Sequence, residues 1–167
     1  MVSIRISVTV PKTAFKDKGW VEGVRRALIT KSAPTMKSLF RKSTVGWSRR
    51  PSFGQSLTQQ SSKIAMEVYT NDRLYALINE GAPRHDIPAK PGGWLRFRSG
   101  YRSSTTPGQL QSRRACRSGP YWKARIITDH PGFEPRKFDE LVAEEYGPQF
   151  INDMQDALND VARSSGG

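Results

Sequence analysis

Nine cationic side chains and no carboxylate lie between Asp86 and Asp129: Lys90, Arg96, Arg98, Arg102, Arg113, Arg114, Arg117, Lys123 and Arg125. Guanidinium groups without a counter-charge seek anions, and phosphate is the commonest polymeric one. The centre of this tract, Ser99–Ser118, is built of Arg, Ser, Thr, Gly, Pro and Gln with almost nothing apolar to bury. A basic loop of that length inside a compact domain is more often functional than accidental. A solvated surface loop that happens to be basic is the plainer reading, and like-charge blocks serve both purposes.

Imidazole chemistry is limited to His85 and His130, each beside an aspartate in His85-Asp86 and Asp129-His130. A metal site needs three or more converging ligands, and no third histidine or paired cysteine is at hand. The natural use of both rings is to hydrogen-bond loop backbone at the two ends of the basic excursion. Cys116 is the only cysteine, which rules out an internal disulfide and a cysteine-based zinc site. The adjacent carboxylates Asp139-Glu140 and Glu144-Glu145 suit a solvated or subunit-facing helix surface. Arg49-Arg50 and Arg113-Arg114 suit phosphate contacts more than base reading. Trp47, Trp94 and Trp122 flank strand patterns and are read as core rather than as a stacking platform. No catalytic constellation and no cofactor is implied.

The elements that must position these residues follow from periodicity. Val2, Ile4, Ile6, Val8 and Val10 alternate with polar residues, a half-buried strand ended by Pro11. Trp20, Val21, Val24, Ala27 and Leu28 predict a helix over Gly19–Ser32, and Pro34 either kinks it or opens a second helix capped by Ser32. Phe53–Gln59 and Ile64–Tyr69 read as a hairpin. Asp72 caps a short helix that Gly81 ends. Trp94–Phe97 and Tyr121–Thr128 read as strands. From about Arg136, the apolar residues Phe138, Val142, Tyr146, Phe150, Met154 and Leu158 recur every fourth position along a helix, which Gly147-Pro148 should kink or split. The fold class is α+β: a small, mostly antiparallel sheet with helices on one face and a long basic loop. Residues 1–163 form a single domain, with 164–167 as a flexible end.

With 167 residues the chain can bury a real core, although mean hydropathy is only -0.62. The net charge of +12 favours nucleic acid or acidic protein surfaces as partners. Charge is also polarised along the chain. Gly23–Met66 carries nine bases and no acid, whereas Asp129–Arg163 carries nine acids against three bases. A basic body and an acidic tail segment suit head-to-tail pairing with a second copy, Arg49 and Arg50 meeting Asp139, Glu140, Glu144 and Glu145. No apolar run reaches membrane-spanning length and the first residues do not read as a signal peptide, so a soluble cytoplasmic protein, or one in a particle assembled there, is expected.

The order of several short motifs resembles the tail-completion, or neck, proteins of long-tailed bacteriophages. They are Tyr75-Ala76-Leu77-Ile78-Asn79-Glu80-Gly81, Arg84-His85-Asp86-Ile87-Pro88-Ala89-Lys90, Leu95-Arg96-Phe97 and His130-Pro131-Gly132-Phe133, with Trp47 and Pro51-x-Phe53 upstream. Ala82 stands where the family usually has threonine, and the Ser99–Ser118 tract is long. The resemblance implies an α+β subunit of a ring, taken as a hexamer, in the virion neck between head connector or stopper and tail terminator or tail tube. Genomic DNA would pass through the lumen. Arg98, Arg102, Arg113, Arg114 and Arg117 would then face DNA or an adjoining ring. A small basic nucleic-acid-binding protein and a ribonuclease-like toxin remain the alternatives.

Overall fold

The computed structural model describes residues 1–9, 18–60 and 63–165. The alternating N-terminal segment is strand β1, Val2–Thr9, with Val2 and Ile4 buried and Ile6 and Val8 against the core. Val10 lies outside the described residues. Strands β2, Gly54–Gln60, and β3, Lys63–Thr70, form the expected antiparallel hairpin. β1 pairs antiparallel on the other side of β3, which gives the order β1-β3-β2. The central strand carries Ile64, Met66 and Val68, all fully buried beneath helices that cover one face of the sheet.

Helix α1, Lys18–Ala27, does not stop at Ser32. It passes through one π turn, Leu28–Ser32, directly into α2, Ala33–Lys42. Pro34 has no N–H for the Thr30 carbonyl and its ring crowds that carbonyl. The wider turn, in which the Ala33 N–H reaches the Leu28 carbonyl, absorbs the misfit without ending the helix. Ser32 therefore caps nothing, and its hydroxyl is buried.

Helix α3, Arg73–Glu80, starts and stops as its sequence dictates. The Asp72 carboxylate accepts the Tyr75 N–H at 2.9 Å, and Gly81 ends the helix with φ of 79°. Helix α4, Phe138–Ser165, runs unbroken through Gly147-Pro148, so the proline does not split it. Phe138, Val142 and Tyr146 before the proline and Met154 and Ala157 after it are buried in the same core. Gly23 of α1 lies directly on Val161 of α4, with no room for a Cβ between them. The helix also continues through Ser164 and Ser165, where a flexible end was expected.

Tyr75 is the hub of this body. Its ring is fully buried and lies 5.3 Å from Phe138, 5.4 Å from Phe53, 5.9 Å from Trp47 and 6.2 Å from Phe40, measured between centroids. The Ser43 hydroxyl gives its single proton to the Phe40 carbonyl at 2.6 Å, so the Tyr75 hydroxyl donates to Ser43 Oγ at 3.0 Å. One turn on, buried Asn79 takes over the capping of α4. Its Oδ1 accepts the Phe138 N–H at 2.7 Å, and its Nδ2 donates to Asp139 Oδ1 at 3.0 Å.

Tyr75→Phe should lower stability by about 1 kcal/mol, or a melting temperature drop of roughly 2–4 °C for a domain of this size. Asn79→Ala should cost more, about 1–3 kcal/mol, because it leaves the Phe138 N–H buried and unpaired. Circular-dichroism melts check both. Burial raises the Tyr75 phenol above its ordinary range and, with the Asp153 hydrogen bond, pushes Tyr146 up to about 12. Both groups fold preferentially in the neutral form. Stability should therefore hold below about pH 10 and fall as pH climbs towards 12, with a tyrosinate absorbance step that coincides with unfolding.

Candidate functional site

Beyond α3 the chain leaves the body and builds two antiparallel ribbons. β4, His85–Pro88, pairs with β7, Ile126–His130, and β5, Leu95–Arg102, pairs with β6, Cys116–Ala124. The Ser99–Ser118 tract is thus a loop only between residues 103 and 115, because both ends continue the β5–β6 ladder. Tyr121–Thr128 is not one strand either. It breaks at Arg125, where the chain changes partner from β5 to β4.

Both ribbons are rooted in the body at one end and joined to each other at the other. The β4–β7 root is the paired Ala82 and Phe133, with hydrogen bonds of 3.0 and 2.9 Å. The β5–β6 root is the 103–115 loop, which is seated and not free. Leu110 enters the core, the Ser112 N–H reaches the Lys42 carbonyl at 3.2 Å, and Arg136 Nε donates to Thr105 Oγ1 at 3.2 Å. Gly46 lies directly on the Arg113 carbonyl, so only glycine fits there. At the far end the Ala89 N–H bonds the Arg125 carbonyl at 2.8 Å. Arg125 also donates to the Gly93 carbonyl at 2.9 Å and stacks 4.1 Å over Trp94.

The β5–β6 ribbon has two unlike faces. Directly opposed residues share a face, so Phe97 with Trp122 makes one apolar and Arg98 with Tyr121 and Arg96 with Lys123 make the other cationic. A bulge follows, with Gly119 at φ of 85° between the Arg98–Tyr121 and Gly100–Ser118 pairs. Trp94 and Trp122 are exposed, contrary to the expectation of core; only Trp47 packs inward, against Tyr75. Large aromatics at 67 % exposure (Tyr121) and 55 % (Trp122) on a two-stranded ribbon mark a surface made to be covered.

Between the ribbons runs a groove of about 590 Å³. Ile87, Ile127 and His130 line one wall, and Arg96, Phe97, Arg98, Arg117 and Tyr121 line the other. The Arg98 guanidinium stacks 4.0 Å over the Tyr121 ring and reaches the Arg117 and Gly119 carbonyls at 3.4 and 3.5 Å. Among the described residues no carboxylate lines this groove. Asp129 pairs with Arg84, and Asp86 accepts the Asp129 N–H at 2.7 Å. That bond holds the bulge where Asp129 takes φ of 61°.

The two histidines meet across the β4–β7 ribbon with ring centroids 5.3 Å apart. Both serve turn backbone, as expected: His85 Nδ1 contacts the Pro83 carbonyl at 2.7 Å, and His130 Nδ1 accepts the Gly132 N–H at 3.1 Å. Among the described residues no group of three or more His, Cys, Asp or Glu side chains converges. No helix among them is long and apolar enough to cross a membrane.

The remaining residues singled out from sequence scatter. Arg102, Arg113 and Arg114 are exposed, Arg114 lining a depression beside Val45–Ser48 rather than the groove. Of the acidic set on α4, Asp139 is bound by Asn79, Glu140 by Lys137 at 3.0 Å and Glu145 by Lys42 at 2.9 Å. Glu144 is exposed. Arg49 is exposed, and Arg50 donates to the Val45 carbonyl at 3.1 Å. Comparison of the chain with family models, with curated proteins and with solved structures returned no match.

Arg125 carries the tip by both its hydrogen bond and its stacking. Arg125→Ala should open residues 89–94 to limited proteolysis several-fold faster while leaving the melting temperature of the body unchanged.

Proposed function

We propose that this chain is a structural subunit of the neck of a long-tailed bacteriophage, one of six copies in a ring that joins the DNA-filled head to the tail. The observation that carries the reading is the division of labour along the chain. A closed α+β body, dominated by Tyr75 and capped through Asn79, supports a cationic two-ribbon lobe with exposed aromatics. The motif order from Trp47 to Phe133 adds the family resemblance. The acidic face of α4 supplies the charge opposite to the lobe, although three of its four carboxylates already have partners within the chain. The two exposed ion pairs, of Glu140 and Glu145, are weak, so they can exchange partners when a neighbouring copy arrives.

In this reading the partners are copies of the same chain, the connector or stopper below the head, and the terminator or tube of the tail. Arg102, Arg113, Arg114 and Arg117 lie near phosphate in the lumen, where contacts must be independent of sequence so that DNA can slide. The meeting of His85 and His130 beside an arginine groove is the one observation that favours a ribonuclease-like alternative.

Reconstruction of purified particles should show six copies around the DNA channel at the head–tail junction. Particles that lack the protein, or carry it as single isolated copies, contradict the proposal. RNA cleavage by the purified chain that is lost in both His85→Ala and His130→Ala would favour the enzyme instead.

A further inference from the structure

The groove between the two ribbons has a chemistry that the ring reading does not need. A channel-lining surface requires only positive charge. Here the charge is combined with flat aromatic and branched apolar walls, in a volume that falls within the ~300–1,000 Å³ of small-ligand sites. The groove's own volume of about 590 Å³ suits one or two nucleotides and is far too small for a duplex.

Each wall component has a matching part on an unpaired nucleotide. Arg96, Arg98 and Arg117 line one groove, and among the described residues no carboxylate lines it, the setting in which forked donors take a phosphate. Arg98 is held in place by its stack on Tyr121 and by two backbone carbonyls, so its fork is pre-oriented. Tyr121 has one face under that guanidinium and is 67 % exposed, which leaves the opposite face open to a base. Ile87, Ile127 and His130 line the facing wall. An acidic protein segment would satisfy the arginines but would leave the open ring face without a flat partner.

We propose that the groove between the β4–β7 and β5–β6 ribbons binds single-stranded nucleic acid, with a phosphate on Arg96, Arg98 and Arg117 and a base stacked on Tyr121. The inference stands apart from the ring: a monomer that binds in this way keeps it and refutes the ring.

Fluorescence anisotropy of the full-length protein with labelled twelve-residue oligothymidylate, oligouridylate and a DNA hairpin duplex tests it. Both single strands should bind more tightly than the duplex at equal salt. Tyr121→Ala should weaken single-strand binding by on the order of tenfold and leave duplex binding unchanged. Arg98→Gln with Arg117→Gln should weaken it further and flatten its salt dependence. Arg49→Gln with Arg50→Gln, outside the groove, should leave the single-strand preference intact. Tyr121, Arg117, Arg49 and Arg50 are exposed and Arg98 is half-buried, and unchanged melts confirm the variants are folded. Equal binding of strand and duplex, with no effect of Tyr121→Ala, would overturn the proposal in favour of a general polyanion field. Polyglutamate displacing the oligonucleotide at equal charge concentration, with Tyr121→Ala again silent, would overturn it in favour of an acidic protein partner.

Discussion

The buried ring of Tyr75 is the constraint on which the rest of the structure depends. It touches side chains from α2, from the segment leading into β2 and from α4, and its hydroxyl is tied to Ser43. Removal of a buried aromatic side chain of this kind typically costs about 3–5 kcal/mol, a large share of a small domain's stability. Its position in α3 has a second effect. Because Tyr75 fixes the helix, Asn79 one turn later meets the first N–H groups of α4, and Gly81 releases the chain beside Phe133. The aromatic cluster therefore determines where the two ribbons are rooted.

Body and lobe use aromatic residues in opposite ways. In the body they are enclosed and their polar atoms mostly paired. In the lobe Trp94, Phe97, Tyr121 and Trp122 lie open beside arginines, two of them under guanidinium groups at 4.0 and 4.1 Å. A two-stranded ribbon has little core of its own. The lobe gains rigidity instead from its two roots and its Arg125 corner, and from bulges at Gly119 and Asp129 that set which side chains face the groove. Rigid placement of a cationic aromatic surface is what recognition of a flat, charged ligand requires.

Local features of the fold were legible in the sequence, and long-range ones were not. Alternation in Val2–Thr9, the Asp72 cap, Gly81 and the four-residue stripe of α4 are encoded by near neighbours, and each appears where expected. Pro34 does stand in the first turn of a new helical segment, entered through a π turn rather than a Ser32 cap, whereas Pro148 does not end its helix, because a shared core on both sides offsets its local penalty. The recognition surface was the hardest part to read. The pairing of Phe97 with Trp122 and of Arg98 with Tyr121 depends on ribbon register, and the loop that links the strands gives no hint that Leu110 and Thr105 anchor it. The charge of the tract was visible; Trp94 and Trp122 beside it were assigned to the core.

The central claim is that a closed body holds a less protected two-ribbon lobe ready for its ligand. Hydrogen–deuterium exchange on the full chain, free and with oligothymidylate, tests it most directly. The free protein should exchange slowly in β3, α3 and the first half of α4 and faster in 85–102 and 116–130, and ligand should slow exchange in the lobe alone. Equal protection of lobe and body in the free chain, or slowing confined to the body on addition of ligand, would contradict the account.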